Sequence, residues 1–302
     1  MAFSKDTKRE LARVIPEERC CRIAELSAYY DFNGYLFGGG KYLDFYHFTP
    51  LIARKILTLV KGVFPEVQTQ LLVQRARARK NQVYTVRVLQ PVDARMVHEA
   101  MRSQEYLDQE REILALSCCR KAYVRGAFLG HGSVTNPKKT YHLEIFTEKY
   151  EVAQKVYHNI NAFGLEAKIT TRKGDLLVYL KDADHIVTLL NLMGAYNALM
   201  QLENVRIVKD MRNRVNRLVN CETANVEKTI QAAVEQIDAV EKIQKHMSLS
   251  DLPPKLAEIA TLRIENPYAT LKELGQMINP PISKSGVNYR LQQLIKISKS
   301  LG

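Results

Sequence analysis

The feature that most constrains this chain is an internal duplication. Two pairs of adjacent cysteines, Cys20-Cys21 and Cys118-Cys119, lie 98 residues apart, and Gly34 and Gly132 each follow the first cysteine of their pair by fourteen residues. Matched spacing of this kind is typical of a repeated structural unit. The sequence therefore predicts two copies of one fold, one after the other.

The residue patterns after the two glycines predict the same order of elements. In the first repeat, a hairpin is followed by a helix, two strands and a helix, predicted at Tyr35–Phe48, Leu51–Val60, Val67–Val73, Val83–Leu89 and Val92–Met101. The second repeat has the same order at Ser133–Val134, Tyr141–Phe146, Tyr150–Phe163, Glu166–Thr170, Leu176–Leu180 and Ala183–Met193. We therefore predict a duplicated α+β fold; chance similarity between two α+β stretches is the alternative.

Each repeat begins with a helical segment that ends at its glycine, Leu26–Gly34 and Val124–Gly132. The small residues Ala28 and Gly126 would let these two helices approach closely and pair the repeats about a pseudo-twofold axis. In this respect the chain resembles the LAGLIDADG homing-endonuclease fold. The resemblance implies paired helices that carry acidic metal ligands above a saddle of strands, with DNA bound to the strands.

The residues just before the two glycines depart from the endonuclease pattern, because Asn33 and His131 stand where that family has its metal-binding acids. Two-metal phosphodiester cleavage needs anionic oxygen ligands for Mg²⁺. We therefore expect the scaffold to be retained and nuclease activity to be lost, with no catalytic residue, no metal ion and no cofactor. Asp31 is expected to cap or pair locally, and a zinc ligand at His131 stays open as an alternative.

The five cysteines do not form the pattern of a disulfide framework, so the chain fits a reducing compartment. Adjacent residues of a helix point about 100° apart, so Cys20-Cys21 cannot hold a metal ion as a Cys-x-x-Cys turn does. We expect one cysteine of each pair to pack in the core. A four-cysteine site across the pseudo-twofold axis is the open alternative.

The positive charge favours polyanionic partners, since the formal net charge is +12 with a pI near 9.4. Alternation along a strand would place Arg75, Arg77 and Arg79 on one face, suited either to phosphate contact or to solvation at a hairpin tip. A second basic cluster spans 206–217 and offers Arg212 and Arg217 as candidate phosphate contacts.

A long linking helix is predicted to follow the repeats. Its apolar residues at heptad spacing should lie on a neighbour: Val226, Ile230, Ala233, Ile237 and Val240. Asn213, Asn216 and Asn220 share a helical face with Arg217, and we favour a role for this face in satisfying buried groups at a domain junction over phosphate contact.

The last fifty residues predict three short helices, the third from Lys284 to Ile297, in the arrangement of a helix-turn-helix. Asn and Gln can pair with adenine and Arg with guanine, while Lys and Ser meet phosphates. Gly286 suggests a close backbone approach, and a helical cap that binds protein is the alternative. The candidate DNA-binding residues are Thr270, Lys272, Ser283, Lys284, Ser285, Asn288, Tyr289, Arg290 and Gln293.

Two longer motifs, Met211–Glu222 and Thr270–Gly275 with Ser283–Leu291, look like those of the bacterial WhiA family. The resemblance covers essentially the whole chain. It implies a degenerate LAGLIDADG-like domain joined to a helix-turn-helix, and a role in cell division, chromosome segregation or sporulation. A protein-interaction hub and a surviving metal-dependent endonuclease are the functional alternatives.

From these observations we expect repeats at residues 1–110 and 111–205, a linking helix at 206–248 and a DNA-binding domain at 249–302. The expected partners are double-stranded DNA and RNA polymerase or another regulator. We expect a soluble, cytoplasmic protein with no membrane partner, because the chain starts with charged sequence and has no long apolar run. Association with the nucleoid is expected, and a monomer is favoured over an oligomer. Residues 251–302 hold seven basic and four acidic residues, so most of the excess charge lies before them, which points to a second polyanion-facing surface on the duplicated domain.

Overall fold

The computed structural model describes residues 2–75, 82–101 and 104–301, with side chains at all of these except 75 and 104–109. The chain divides into two compact units, the first ending at Val208 and the second beginning at Lys209. Within the described ranges, none of the helices combines the length and apolar character needed to cross a membrane.

The first unit contains the predicted duplication. After α1 (Ala2–Leu11), the first copy consists of α2 (Arg19–Asn33), β1 (Gly34–Phe37), β2 (Tyr42–His47), α3 (Pro50–Val63), β3 (Thr69–Arg75), β4 (Gln82–Val88) and α4 (Pro91–Ala100). After α5 (Gln104–Ala115), the second consists of α6 (Ser117–His131), β5 (Gly132–Val134), β6 (Leu143–Thr147), α7 (Tyr150–Asn161), β7 (Lys168–Arg172), β8 (Asp175–Leu180) and α8 (Ala183–Met193).

The two copies form sheets of identical topology, which confirms the duplicated α+β fold. Their strand orders are β1-β2-β4-β3 and β5-β6-β8-β7, and every pairing is antiparallel. Their inner faces share one apolar core with the first helices of both copies. Alternation along β2 illustrates the cause, since Leu43, Phe45 and His47 are buried while the residues between them reach the outer face.

Helices α2 and α6 pack against each other at very short range, as their small residues predict. A Cβ atom on Gly126 would stand 2.7 Å from the backbone oxygen of Glu25 and 2.9 Å from the Cβ of Ala28. A Cβ on Gly130 would stand 2.9 Å from Asn33 Oδ1. The pseudo-twofold pairing of the repeats therefore depends on glycine at these contact points.

A buried ionic network crosses this helix pair. Glu25 Oε1 lies 2.5 Å from Lys55 Nζ, and Glu25 Oε2 lies 2.8 Å from Arg125 Nη2. Lys55 Nζ also donates to the carbonyl oxygens of Leu11 and Val14, which fixes the end of α1 and the chain after it. Burial lowers the pKa of Lys55 to about 8 although Glu25 opposes that shift.

The long helix α9 (Tyr196–His246) contains the boundary between the two units and begins before the predicted start at residue 206. The second unit continues with a 3₁₀ turn at Leu249–Asp251 and with α10 (Pro254–Glu265), α11 (Leu271–Met277) and α12 (Lys284–Ser300). Its core is built from the end of α9 and the three short helices, around Val240, Ile243, Ile259, Leu274 and Leu291.

Two interpretations of α9 are wrong. Its apolar stripe is buried only near the end, because Val240 is covered while Val226 and Ile230 are 56% and 55% exposed. Every residue from 211 to 232 is exposed, including Asn213 and Asn220, so these side chains satisfy no buried groups at a junction. Heptad spacing fixes which residues share a face, and only a covering partner decides whether that face is buried.

The close backbone approach expected at Gly286 occurs at a different glycine. A Cβ on Gly286 would meet Ile282 and Ser283 side-chain atoms at an ordinary 3.6 Å. A Cβ on Gly275 would stand 2.4 Å from the backbone oxygen of Ile282, whose amide donates to the Gly275 oxygen. Gly275, in α11, therefore sets the distance between α11 and the segment that leads into α12.

Candidate nucleic-acid interface

The starts of α11 and α12 are fixed by side-chain caps. The Thr270 amide donates to Glu273 Oε2 at 2.7 Å, and the Glu273 amide donates to Thr270 Oγ1 at 3.3 Å, which completes a capping box. The Gly286 amide donates to Ser283 Oγ at 3.2 Å. Of the predicted contact residues, Thr270 and Ser283 thus have structural roles, and both are exposed.

The exposed face of α12 carries polar and aromatic side chains. Val287, Leu291 and Leu294 are buried on one side of the helix, while Asn288 and Tyr289 lie on the other. Tyr289 is 66% exposed. Within the described part of the chain, the side chains of Asn288 and Tyr289 have no hydrogen-bond partner, so their polar groups are available to a ligand.

Gln292 also belongs to this face, although it is not among the residues predicted from the sequence. It is exposed, whereas the predicted Gln293 is half-buried on the flank of the helix. The signal is present in the sequence, because Gln292 lies seven residues after Ser285 and seven residues are close to two helical turns. Lys284 and Ser285 are also exposed, as predicted, and the candidate contact residue Lys272 is exposed as well.

Arg290 is already engaged within the second unit. Its Nη1 lies 3.4 Å from Glu258 Oε2 of α10, and its side chain is only 16% exposed. Contact between Arg290 and a base would require exchange of this ion pair. Its predicted base contact stays a prediction.

The turn between α10 and α11 is held from inside by Arg263. This buried side chain donates from Nη1 to the carbonyl oxygens of Ala269 at 2.8 Å and of Asn266 and Pro267 at 3.4 Å. The same turn presents Tyr268, which is 97% exposed and is not among the residues predicted from the sequence.

The candidate phosphate contacts are described only in part. Arg75 pairs with Gln82 at the end of β3, but its side chain, and all of Arg77 and Arg79, lie outside the described residues. Arg212 and Arg217 are exposed on α9.

Among the described residues on the outer face of the first sheet, Arg87 is paired with an acid. Arg87 donates to both carboxylate oxygens of Asp44, at 2.8 Å from Nε and 2.7 Å from Nη2. Its guanidinium also lies 4.5 Å from the ring centre of Tyr42. The positive charge of Arg87 is therefore balanced on this face.

On the second sheet, Glu144 occupies the position that corresponds to Asp44. Its carboxylate accepts a hydrogen bond from Ser133 Oγ at 3.2 Å and lies 3.0 Å from His142 Nε2. The described outer faces thus mix acidic, basic and aromatic groups.

Asn33 and His131, which precede Gly34 and Gly132, meet at the end of the helix pair. Asn33 Nδ2 lies 3.3 Å from His131 Nε2, and the His131 ring stacks on Phe146 with centroids 4.5 Å apart. Asn33 Oδ1 and His131 Nδ1 are buried, and neither has a hydrogen-bond partner among the described residues.

The electrostatics at this end of the helices disfavour a cation. Burial is the largest cause that lowers the pKa of His131, and the positive charge of Lys8 is the second. The same two causes lower the pKa of His47 to about 4. Burial also lowers the pKa of Lys8 to about 8. At neutral pH the two imidazoles are therefore neutral.

Asp31 is paired, as expected, although not with a local partner. Its Oδ2 lies 2.9 Å from Lys155 Nζ of the second repeat and accepts a hydrogen bond from Tyr123. Lys155 also contacts Glu110 at 2.9 Å, so this acid is engaged as well.

Both repeats and the C-terminal helical region match family models of known proteins. Residues 19–98 match the family model of the WhiA N-terminal LAGLIDADG-like domain, and residues 120–212 match that of the WhiA LAGLIDADG-like domain. Residues 215–298 match the WhiA C-terminal HTH domain.

Full-length relatives and solved structures agree with these matches. Proteins named "Probable cell division protein WhiA" are 46% identical in Heliobacterium modesticaldum and 43% identical in Alkaliphilus metalliredigens; each alignment covers 99% of this chain, and 97% and 98% of the relative. The crystal structure of full-length DUF199/WhiA from Thermatoga maritima is 25% identical, with a TM-score of 0.60 and 99% of both chains covered. This chain belongs to the WhiA family.

Proposed function

We propose that this protein is a sequence-specific DNA-binding transcriptional regulator that acts in cell division, with chromosome segregation and sporulation as related processes. The observation that carries the proposal is the exposed face of α12, where Ser285, Asn288, Tyr289 and Gln292 project from the last helix of a helix-turn-helix. The names of the relatives support the link to division.

The chemistry of this face suits the major groove. The amides of Asn288 and Gln292 can each pair with the N6 and N7 atoms of adenine, and Tyr289 can make apolar contact with a thymine methyl group. Lys284 and Ser285 lie in the first turn of α12, where free backbone amides also favour phosphate oxygens. Thr270 and Lys272, at the start of α11, fit contacts to the adjacent backbone.

Loss of one base-reading amide gives the direct test. Asn288→Ala should weaken binding to a specific duplex by about 1–3 kcal/mol and relax preference at one base pair, because a bidentate contact is removed. The duplex is chosen from sites occupied on the organism's own chromosome, and binding is measured by fluorescence anisotropy and footprinting.

Asn225→Ala is the matched control, since Asn225 is an exposed helical asparagine in α9. It should leave base preference unchanged. A comparison of Gln292→Ala with Gln293→Ala separates the two faces of α12, and we expect the larger loss from Gln292→Ala. If Asn288→Ala and Gln292→Ala both keep wild-type affinity and footprint, α12 is not the reading helix.

We further propose that the LAGLIDADG-like domain has lost cleavage activity. Asn33 and His131 supply one amide and one neutral imidazole where Mg²⁺ needs carboxylates, and Lys8 adds positive charge nearby. Supercoiled plasmid incubated with the protein and Mg²⁺ or Mn²⁺ should stay intact. Cutting that disappears in an Asn33→Ala, His131→Ala double variant would overturn this part of the proposal.

The basic segments outside the helix-turn-helix fit a second, salt-sensitive contact with DNA. They include Arg212 and Arg217 together with the segment around Arg75, Arg77 and Arg79. A cytoplasmic, nucleoid-associated monomer that also meets RNA polymerase or another regulator is consistent with this arrangement.

A further inference from the structure

The four cysteines of the two adjacent pairs converge at one point of the first unit. Their Sγ atoms all lie within 4.8 Å of one another. Cys119 Sγ is 3.8 Å from both Cys21 Sγ and Cys118 Sγ. Cys21 and Cys119 are buried, as expected for one cysteine of each pair, while Cys20 is half-buried and Cys118 is exposed.

The convergence follows from the pairing of the repeats. Cys20 and Cys21 are the second and third residues of α2, and Cys118 and Cys119 have the same places in α6. One pair cannot surround an ion, because its two side chains diverge along the helix. The facing helix supplies the other two sulfurs, so the pseudo-twofold axis completes a set that neither repeat contains alone.

The sulfur separations suit a single tetrahedral ion. A Zn–S bond of about 2.3 Å places the sulfurs of a regular tetrahedron about 3.8 Å apart. Two of the separations already have this value, and the longest needs a contraction of about 1 Å, within reach of side-chain rotation. The ligands of a four-iron cluster bind four different metal atoms and therefore stand farther apart than sulfurs around one ion.

We propose that Cys20, Cys21, Cys118 and Cys119 bind one structural Zn²⁺ ion that joins the two repeats. Four thiolates fill a tetrahedral coordination sphere, so the site has no open position for chemistry. The inference extends beyond the proposed DNA-binding function and does not depend on it.

Burial raises the pKa of the Cys21 and Cys119 thiols, so burial opposes the thiolate form and the helix starts favour it. All four cysteines lie in first helical turns, where unpaired backbone amides and the helix dipole stabilise negative charge. The next residue in each helix is an arginine with the same role in both repeats. Arg22 Nε donates to the Pro16 oxygen at 2.8 Å and Arg120 Nε to the Leu114 oxygen at 2.5 Å, which fixes the approach to each helix.

The position of the cluster gives the ion a structural role. The cysteines lie at the beginnings of α2 and α6, whereas Asn33 and His131 end these helices. Helices of 15 residues are about 22 Å long, so the ion would hold the end of the helix pair opposite Asn33 and His131.

The test is metal analysis of the full-length chain, purified without an affinity tag under reducing conditions. We expect about one zinc per chain by mass spectrometry, as a closed four-ligand site requires. Replacement by Co²⁺ should give the intense visible bands of a tetrahedral ion and the near-ultraviolet charge-transfer bands of four thiolates. Removal of zinc with a chelator should lower the melting temperature of the first unit, and zinc should restore it.

Variants assign the ion to the cluster. Cys20→Ser with Cys118→Ser changes the two less buried sulfurs and should abolish stoichiometric zinc, while Cys221→Ser, at the exposed fifth cysteine, should retain it. Failure of the reduced wild-type chain to bind Zn²⁺ or Co²⁺ at micromolar concentration would overturn the proposal without any variant. So would zinc that persists in the double variant, or iron found together with inorganic sulfide.

Discussion

Glu25→Gln should lower the free energy of unfolding of the first unit by about 3–5 kcal/mol, because it leaves two buried cations without their anion. The side chains of Glu25 and Lys55 are fully buried, and that of Arg125 is 8% exposed. Glutamine has nearly the volume of glutamate, so the loss reports charge rather than a cavity. Calorimetry of the full-length chain measures the transition.

The dependence on pH distinguishes this mechanism from general damage. The pKa of Lys55 is already lowered by burial, and removal of the Glu25 charge lowers it further. The unfolded chain then binds more protons than the folded chain at pH 7–9, so the stability of the variant should rise with pH over this interval. Loss of the exposed Asp6–Arg9 pair in Asp6→Asn should cost less than about 1 kcal/mol. An equally small cost for Glu25→Gln would contradict the role assigned to the network.

Gly275→Ala should destabilise the helix-turn-helix by about 1–3 kcal/mol or more and reduce specific DNA binding. The new methyl group would stand 2.4 Å from the Ile282 backbone oxygen, and a backbone atom cannot move aside as a flexible side chain can. Either α11 or the segment before α12 must shift, which displaces the face of α12 that carries Asn288. Thermal unfolding of the second unit and anisotropy with the specific duplex measure the two effects.

Gly286→Ala is the matched control in the same unit. Its new methyl group meets side-chain atoms at 3.6 Å, and alanine is favoured over glycine inside a helix by up to about 1 kcal/mol. We expect unchanged or slightly higher stability and unchanged DNA affinity. Similar destabilisation by both substitutions would show that the Gly275 contact is not the cause.

Periodicity predicted the elements well because it reports local geometry. The helix at Ala183–Met193 was predicted with the bounds that the structure shows, and the strands of both repeats differ by only a few residues at their ends. On α12, the same reasoning placed Asn288 and Tyr289 on the exposed face, where the structure has them, but included the half-buried Gln293 and omitted the exposed Gln292. A contact face cannot be assigned by residue type alone when two neighbouring glutamines differ by about 100° in direction.

Local sequence patterns do not predict the interactions between the two repeats. Nothing near Arg125 in the sequence indicates that it pairs with Glu25, one hundred residues earlier. The spacing of apolar residues also does not determine whether their side chains are buried. The stripe that includes Val226 has the spacing of a packed helix, yet it is exposed.

The sequence by itself determined that the chain is duplicated, that each copy is α+β and that a helix-turn-helix follows, since repeated spacing and periodicity are properties of the chain. It also placed Asn33 and His131 directly before the glycines that follow the two paired helices. Only the tertiary structure shows that those two side chains meet and that the Sγ atoms of four cysteines lie within 4.8 Å of one another. It also shows that the close backbone contact in the helix-turn-helix occurs at Gly275 and not at Gly286. The physical reason is that these features depend on how separate parts of the chain pack against each other. The spacing of residues along one helix does not determine their distance from residues of another helix.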